Sequence, residues 1–476
     1  MSTIGSRRTA PAASPAAAAP TAAGSAPVAP PLPASEAAWA AAGAVLAHGV
    51  SGSARINPAL GRPLMVARAA GPWLYDLDGR AYLDFHMGFG STLLGHGHPA
   101  VRQAIEQALE LGIAAGAETV YQTQLAQRLV GLVPAAERVR FANSGSEATQ
   151  AAIRLARAHT GRWKVVKFAG HFHGLHEHIL YSAHPPRHEP APGALFPPVP
   201  ESGGMPPALA DLVVVAEWND QEAVERAFRT DGDDLAAVIC EPINYNSGCI
   251  PPRPGFLAFL RQIARDHGAL LIFDEVLSGF RTGVSCAQGY YGVTPDLCVL
   301  AKAVANGVPL AVLAGRQEVM ASLAPVGPAA HSGTYSGHLF GVLAALATLD
   351  VLARPGFYDG PSGIFAIAER LYAGLREIFA RRGVRCRVQG LGARFGLYFG
   401  LDPDEEVWQY NQVAGHDAPL LRQFIRACLD RGLYFHSYDV ALGHHGFSAA
   451  HTLANIEQAL DRIDDAARQV GGRAGA

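Results

Sequence analysis

From residue 138 onward, the chain alternates short runs of apolar residues with longer runs that are apolar on one side only. The short runs predict strands over 138–143, 163–169, 212–217, 235–241, 269–275, 297–302 and 310–314. The longer runs predict amphipathic helices between them, over 147–159, 220–229 and 255–267. Because runs such as AAVIC and ALLIF are apolar at every position, the pattern favours a mostly parallel sheet covered by helices on both faces. We therefore predict a large, doubly wound α/β domain.

The two ends of the chain have a different pattern. Residues 37–100 contain the hairpin signal PWLYDLDGRAYLDF, in which Asp78 and Gly79 form the turn. We expect 37–100 and 351–476 to pack together as a smaller α+β domain, and 101–350 to form the large domain. Residues 1–36 are dominated by Ala, Pro, Ser and Thr, so they lack the large apolar side chains that offset chain entropy. We expect a disordered tail there.

Composition excludes several classes of function. The chain is 49% apolar and 17% charged, as expected for a folded protein, and its net charge of -3 comes from 38 basic and 41 acidic residues. Neither sign forms a long run, which argues against nucleic-acid binding. We expect no membrane span, since no long apolar run lacks Gly, Pro and charge. The six cysteines form no CxxC pair, so we expect free thiols and a cytoplasmic protein.

Polar residues end three successive predicted strands: Glu241, Asp274 and Lys302. In such sheets, ligands bind at the carboxyl ends of the strands. Lys302 is one of only three lysines in the chain, and burial lowers the pKa of a lysine toward its neutral, nucleophilic form. An ordinary ion pair between Lys302 and Asp274 is the structural alternative. The turn AVANGVP that follows the lysine favours an amine that faces a cavity.

The segment FANSGSEA, at 141–148, predicts a phosphate site. It places Ser144, Gly145 and Ser146 between a strand and a helix, where backbone N–H groups and the helix dipole favour an anion. Alternatively, Ser146 is simply a helix N-cap. Together with a lysine and an aspartate at adjacent strand ends, the segment fits a phosphate-bearing aldehyde whose ring nitrogen meets a carboxylate. That compound is pyridoxal 5'-phosphate.

The chain also resembles a known family, the class III pyridoxal-phosphate-dependent aminotransferases of fold type I, in particular the branch that contains glutamate-1-semialdehyde aminomutase. The likeness runs over about 50–465. It rests on GRAYLDF (79–85), LGHGHP (94–99), NSGSEA (143–148), FAGHFHG (168–174), LLIFDEVLSGFRTG (270–283), PDLCVLAKAVANGVP (295–309) and HSGTYSG (331–337). The resemblance implies a fold type I enzyme that is a homodimer with shared active sites.

The resemblance also implies roles for individual residues. Lys302 resembles the Schiff-base lysine, which also moves the substrate proton, and Asp274 resembles the carboxylate that keeps the pyridine nitrogen protonated. Ser144, Gly145 and Ser146 resemble the phosphate loop.

Five further positions follow from the same likeness. Phe172 resembles the aromatic residue that stacks on the cofactor ring, Val276 covers the opposite face, and Asn246 contacts the ring hydroxyl. Thr334 resembles the threonine that reaches the phosphate of the neighbouring subunit. Arg55 matches an arginine that meets a substrate carboxylate, for which its two parallel donors are suited.

Four histidines between residues 171 and 178 invite a metal site: His171, His173, His176 and His178. Since the segment that contains them matches the ring-stacking segment of the family, we predict no metal.

We predict an aminotransferase that moves an amino group between an amino acid or amine and a keto or aldehyde acceptor. The alternatives are an intramolecular aminomutase or an amino-acid epimerase on the same cofactor, or a binding protein that has kept the fold. The chain departs from the family pattern at Ala305-Asn306-Gly307, at His338-Leu339 and over about 184–206. These positions influence substrate choice, so the sequence names neither donor nor acceptor.

Overall fold

The computed structural model describes residues 33–112, 116–187, 193–437 and 443–471. The strands are β1 Val66–Ala70, β2 Trp73–Asp76, β3 Ala81–Asp84, β4 Arg138–Ala142, β5 Lys164–Phe168, β6 Val213–Ala216, β7 Leu235–Cys240, β8 Leu270–Glu275, β9 Leu297–Leu300, β10 Ala311–Gly315, β11 Cys386–Leu391, β12 Arg394–Phe399, β13 Leu433–Tyr434 and β14 His444–Gly446. The α-helices are α1 Pro33–Gly43, α2 Met87–Gly90, α3 Pro99–Leu111, α4 Val120–Leu132, α5 Gly145–Thr160, α6 Gln221–Asp231, α7 Phe256–Asp266, α8 Cys286–Tyr291, α9 Gln317–Met320, α10 Leu339–Leu352, α11 Ile364–Arg382, α12 Tyr410–Val413, α13 Ala418–Asp430 and α14 Leu453–Gly471. Short 3-10 helices cover Ala47–Gly49, Ser53–Arg55, Pro207–Leu212 and Lys302–Ala305.

A seven-stranded sheet forms the centre of the molecule, in the order β4-β10-β9-β8-β7-β5-β6. Its strands are the seven that the apolar runs predict. β10 runs antiparallel to both of its neighbours, and the other neighbouring strands are parallel. The prediction of a mostly parallel α/β sheet is therefore confirmed.

Helices cover both faces of this sheet, which explains why its central strands β7, β8 and β9 are largely apolar. Val238 of β7 belongs to one core cluster with Leu260 of α7, whereas the next residue, Ile239, belongs to a second cluster with Ile153 of α5. Every residue of β7 and β8 is buried. Alternate side chains thus enter two separate cores, and neither face of the strands is left for polar residues.

The chain ends meet in a second, four-stranded sheet with the order β1-β2-β3-β13. The predicted hairpin is present, and Asp76 shapes its turn by accepting hydrogen bonds from the N–H groups of Asp78 (3.0 Å) and Arg80 (2.8 Å). β13 lies parallel to β3, with Leu433 opposite Leu83. A third sheet has the order β11-β12-β14. The predicted domain limits at 100 and 350 fall inside α3 and α10, and the division into domains stays a prediction.

Helix α1 begins inside the segment for which the sequence predicts a disordered tail. The Asp78 carboxylate accepts hydrogen bonds from the N–H groups of Ala34 (3.1 Å) and Ser35 (3.2 Å), and so ties the first turn of the helix to the hairpin. The last few residues of the predicted tail thus belong to a helix, and residues 1–32 lie outside the described ones.

The stretch 184–206 has no place in the predicted strand pattern, and part of it contacts the open edge of the large sheet. Phe196 forms an antiparallel bridge to Val215 of β6, the edge strand, and Tyr181 forms one to Pro200. Residues 188–192 lie outside the described part of the chain. Phe196 thus pairs with backbone groups of an edge strand that would otherwise be open to pairing. Among the described residues, no helix has the length and apolar character needed to cross a membrane.

Candidate active site

The carboxyl ends of the central strands open onto a cavity of about 460 Å³. Its lining comes from the ends of β4, β7, β8 and β9, from the first turn of α5 and from the segment after β5. The lining residues are Ser91, Asn143, Ser144, Gly145, Ser146, Thr149, Phe172, His173, Gly174, Glu241, Asn246, Asp274, Val276, Leu277, Ala301, Lys302, Gly307, Val308, Pro309 and Leu310. Eight of the ten residues predicted for the site are among them, so the fold brings together groups that are up to 158 positions apart in sequence.

Lys302 follows β9 and begins a short 3-10 helix with a left-handed backbone, φ +49°. This conformation costs a non-glycine residue on the order of 1–3 kcal/mol, a strain that is typical of functional positions. Its Nζ has no hydrogen-bond or ion-pair partner in the described part of the chain, and it borders the cavity. Burial lowers the pKa of Lys302 to about 8, assisted by Arg394 and opposed by Glu241 and Asp274.

Asp274 lies on β8, next to the strand that leads to Lys302. Its Oδ2 is 2.7 Å from Nδ1 of His173, and its Oδ1 accepts a hydrogen bond from the N–H of Val276 at 3.0 Å. The ion pair between Asp274 and Lys302 that the sequence offers as an alternative does not form within the described residues, because the carboxylate is turned to the histidine. Burial raises the pKa of Asp274 to about 7, while the Val276 N–H and Lys302 act in the opposite direction.

Glu241 is a second buried carboxyl group in the cavity, and it holds two of the predicted site residues. It accepts hydrogen bonds from the N–H groups of Phe172 (2.9 Å) and Asn246 (3.4 Å). Burial and the neighbouring Asp274 raise the pKa of Glu241 to about 8, against the Asn246 side chain, the Phe172 N–H and Lys302. Near neutral pH the cavity therefore contains an amine and two carboxyl groups that each ionise at a cost.

The first turn of α5 forms the opposite end of the cavity. Ser144 is its N-cap, since its Oγ accepts a hydrogen bond from the N–H of Glu147 at 3.3 Å. Ser146 is therefore not the N-cap that the sequence alternative required; its Oγ accepts from the N–H of Leu175 at 3.2 Å. The N–H groups of Gly145 and Ser146 lie in the first turn, where a helix supplies no backbone acceptor.

Gly145 also lies directly against Val276. A Cβ atom at position 145 would be 2.9 Å from Cγ2 and 3.0 Å from Cγ1 of Val276, closer than carbon atoms normally approach. Glycine at this position thus allows Val276 to pack directly against the N-terminus of α5, and Val276 there forms part of the cavity wall.

Two predicted site residues lie outside the cavity. Thr334 is exposed in the segment before α10, and Arg55 is exposed at the end of a short 3-10 helix. Neither lines the cavity within the described chain. Their assigned roles stay predictions.

The four clustered histidines contact four different partners. His171 Nδ1 accepts from the N–H of Glu241 (3.0 Å), and His173 faces Asp274. His176 lies 3.2 Å from Thr149 Oγ1, and His178 lies 3.3 Å from a guanidinium nitrogen of Arg157. The part of the chain that is described contains no group of three His, Cys, Asp or Glu side chains arranged to hold a metal ion.

Sequence reasoning did not assign Glu241 or His173 to the site. A signal for Glu241 was present, because it ends the strand next to that of Asp274. His173 directly follows Phe172, and neighbouring side chains of an extended segment point to opposite sides. A ring-facing Phe172 therefore implies that His173 points back toward the sheet.

Comparison with known proteins gives concordant matches along almost the whole chain. A sequence model of the family Aminotransferase class-III matches residues 57–466. Glutamate-1-semialdehyde 2,1-aminomutase of Desulfitobacterium hafniense (strain DSM 10664 / DCB-2) is 39% identical over 440 residues, which cover 92% of this chain and 98% of that protein.

Solved structures match equally broadly. An omega-transaminase from Sphaerobacter thermophilus gives a TM-score of 0.85 at 29% identity, covering 93% of this chain and 98% of that one. A glutamate-1-semialdehyde-aminomutase from Pseudomonas aeruginosa PAO1, in complex with PMP, gives 0.79 at 25% identity, covering 91% and 93%.

Proposed function

The chain belongs to the class III aminotransferase family and is a pyridoxal-phosphate-dependent enzyme, and from this premise we propose that it transfers an amino group between an amino acid or amine donor and a keto or aldehyde acceptor. The observation that carries the proposal is a single cavity. It joins the Lys302 amine, which has no partner among the described residues, to the buried Asp274 carboxylate and the first turn of α5.

The residues of the cavity fit the cofactor, because the cavity wall offers a complementary group for each polar group of the cofactor. The N–H groups of Gly145 and Ser146 would hold the phosphate, and Asp274 would meet the ring nitrogen. Phe172 and Val276 would lie on the two ring faces, and Asn246 near the ring hydroxyl: we propose these roles from the cavity and the family likeness.

When bound, the cofactor supplies an electron sink for the charge left when a proton leaves the substrate Cα. The chain's own residues transfer that proton and stabilise that charge. Asp274 would supply a negative charge at the inner end of the cavity; because burial raises its pKa to about 7, that charge is fully present only above this pH. The Lys302 amine, whose pKa is lowered to about 8 by burial, accepts a proton at moderate pH and returns it. Glu241 holds Phe172 and Asn246 in place.

An intramolecular aminomutase is the second candidate. It is favoured by the aminomutase of Desulfitobacterium hafniense, which is 39% identical and covered over 98% of its length. Both reactions use the same cavity residues, and they differ in whether a separate acceptor is consumed. An amino-acid epimerase shares that single-substrate requirement.

One experiment separates the candidates. The purified holoenzyme is incubated with single amines, and with glutamate-1-semialdehyde, in the absence of any acceptor. An aminotransferase converts its cofactor once per subunit and continues only after a keto acid or aldehyde is added. An aminomutase or epimerase turns over repeatedly without one, which would overturn the leading proposal. Lys302→Ala is the control and should be inactive in every arm. Borohydride reduction followed by peptide mass spectrometry should find the cofactor on Lys302, and its recovery on Lys164 or Lys167 would refute the site assignment.

We also propose a cytoplasmic homodimer. The six cysteines are free and buried, which suits a reducing compartment, and the exposed Thr334 is accessible to a neighbouring subunit. Arg55 is likewise exposed, and we propose that it meets a carboxylate of the substrate.

A further inference from the structure

The short turn α2, Met87–Gly90, has a left-handed backbone. Its four φ angles are +52°, +59°, +57° and +79°, although two of its residues, Met87 and Phe89, are not glycine. A left-handed turn is disfavoured for such residues, because Cβ comes too close to the following carbonyl oxygen. Backbone strain of this kind persists only where the surrounding structure enforces it, and it is concentrated at functional sites.

Two buried arginines hold the ends of this turn. Arg394 of β12 donates a hydrogen bond from Nη1 to the carbonyl oxygen of His86 at 3.3 Å. Arg281 donates one from Nη2 to the carbonyl oxygen of Gly90. At the first end, the carboxylate of Asp84 also accepts from the N–H of His86 at 2.8 Å. Three distant parts of the chain thus fix one turn of four residues.

The last residue of the turn, Gly90, has no room for a side chain. A Cβ atom there would lie 2.9 Å from Nη1 of Arg394, 3.0 Å from Cδ1 of Leu277 and 3.3 Å from Nη2 of Arg281. Leu277 lines the active-site cavity, so the turn packs directly behind the cavity wall. Any shift of the turn would therefore move that wall.

The residue that follows the turn, Ser91, is half-buried and lines the cavity together with Lys302 and Gly307. Its Oγ lies 3.6 Å from the position that a Cβ atom would take at Gly307. Its N–H donates to the carbonyl oxygen of Gly88 at 3.1 Å, whereas its hydroxyl forms no hydrogen bond with another described residue. The turn thus presents to the cavity a hydroxyl whose donor and acceptor capacity is unused.

We propose that Ser91 binds the substrate, through a hydrogen bond between its hydroxyl and a hydroxyl or carboxylate oxygen of the amine. This inference rests on the proposed function, in which an amine enters this cavity and meets Lys302. Two lining residues close to Ser91, Leu277 and Gly307, have no polar side-chain atom. An amine with only an alkyl group at this wall would leave the hydroxyl without a partner, so Ser91 favours a substrate that carries an oxygen there.

Three small amines test the hydroxyl. Alaninol and 2-butylamine are primary amines of equal size, and the first has a hydroxyl where the second has a methyl group; alanine has a carboxylate at that place. Each amine is titrated into the wild-type holoenzyme and into Ser91→Ala, and the apparent Kd is read from the absorbance of the cofactor. The Kd for 2-butylamine divided by that for alaninol or alanine measures the preference for oxygen, and general damage to the site cancels in this ratio.

Wild-type enzyme should prefer alaninol, alanine or both to 2-butylamine. Ser91→Ala should reduce this preference by about 2- to 10-fold for the hydroxyl of alaninol, or by about 10- to 100-fold for the carboxylate of alanine, and leave the Kd for 2-butylamine nearly unchanged. Ser91→Thr keeps a hydroxyl and should retain most of the preference. A preference that is absent from the wild type, or equal in the wild type and Ser91→Ala, would overturn the inference.

Gly90→Ala tests the turn that carries Ser91. The new Cβ must displace the turn, so this variant should lose the preference as Ser91→Ala does, and combining the two should add little further loss. Gly79→Ala is the matched control: Gly79 has nearly the same φ, +81°, but a Cβ there meets nothing within 4 Å. It should keep the preference. Equal losses in Gly79→Ala and Gly90→Ala would show that general destabilisation sets the preference, and would overturn the inference.

The titrations also separate failure of the inference from failure of the proposed function. If the wild-type enzyme transfers no amino group to any acceptor but Ser91→Ala still loses the preference in binding, the function is wrong and the inference stands. If the wild type transfers amino groups and Ser91→Ala keeps the same preference, the inference is wrong and the function stands.

Discussion

The contact between Gly145 and Val276 makes a quantitative prediction about cofactor binding. In Gly145→Ala, the new Cβ would lie 2.9 Å and 3.0 Å from the two methyl carbons of Val276, so the pair must separate by roughly 0.6 Å to reach normal contact. Backbone strain plays no part, because the φ angle of Gly145 is not positive. The substitution therefore isolates a steric effect.

The cost of such overpacking is about 1–3 kcal/mol, and alanine in a helix recovers about 0.5–1 kcal/mol relative to glycine. Val276 is only half-buried and borders the cavity, so it relieves the clash by moving into the cavity. We expect little change in the stability of the apoenzyme. The dissociation constant for pyridoxal phosphate should rise by about 5- to 150-fold, because the displaced valine would enter the space that the proposed site gives to the cofactor ring.

The assay is titration of the apoenzyme with pyridoxal phosphate, followed by absorbance or tryptophan fluorescence. Gly131→Ala is the matched control: Gly131 also lies in a helix, and a Cβ there meets nothing within 4 Å. It should leave affinity unchanged. Adding Val276→Ala to Gly145→Ala should restore part of the affinity, giving a coupling between the two sites. The reasoning would be refuted if Gly145→Ala left the affinity unchanged, or if the loss of affinity in the double variant equalled the sum of the losses in the two single variants.

Four further predictions concern the charges of the site, the dimer and the substrate. The pKa of Lys302 is lowered to about 8 in the folded protein, so the buried ammonium destabilises the apoenzyme below that pH. Lys302→Met should therefore raise Tm most at pH 7. The gain in Tm should shrink as pH rises from 8 to 10.5, because the wild-type lysine loses its charge. The pKa of Glu241 is raised to about 8, so its contribution to wild-type stability falls as pH rises from 4.5 to 8. Glu241→Gln should therefore gain stability relative to wild type across that interval. For Lys302→Met or Glu241→Gln, a Tm difference from wild type that does not change with pH would contradict the pKa shift assigned to that residue. Light scattering should give the mass of a dimer. Thr334→Ala should weaken cofactor binding by about 10-fold without dissociating the dimer. A fully active monomer would exclude a shared site. Arg55→Ala should lower kcat/KM by about 10- to 100-fold for amines that carry a carboxylate and little for others, and equal losses for both would exclude substrate recognition.

The sequence predicts the central sheet well because the signal for a buried parallel strand is local. The central strands β7, β8 and β9 are apolar over most of their length, and a polar residue that lines the cavity lies at or just beyond the end of each. Lys302, Asp274 and Glu241 could be found in this way, since the carboxyl ends of parallel strands lie on one side of the sheet.

Long-range contacts could not be predicted in this way. The bond between His173 and Asp274 joins residues 101 positions apart and follows no periodic pattern. Asn306 is another example: it lies where the chain departs from the family pattern, and its side chain accepts from the N–H of Leu94 (2.8 Å) and donates to the carbonyl of Gly95 (3.0 Å). The sequence marks Asn306 as a departure that affects substrate choice, whereas the structure gives it a role in fixing the turn after Lys302.

The parallel pairing of β13 with β3 has a consequence for how the protein is made. Leu83 and Leu433 are 350 positions apart, so a ribosome that adds about 5–20 residues per second needs roughly 18–70 s to deliver the partner strand after the hairpin has emerged. Throughout that interval, the outer backbone groups of β3 are unpaired and open to strands of other nascent chains. A chain that terminates before Leu433 never closes this edge. Recovery of native enzyme from cells should therefore depend on the interval between the synthesis of these two strands, and on the chaperones that protect β3 during it.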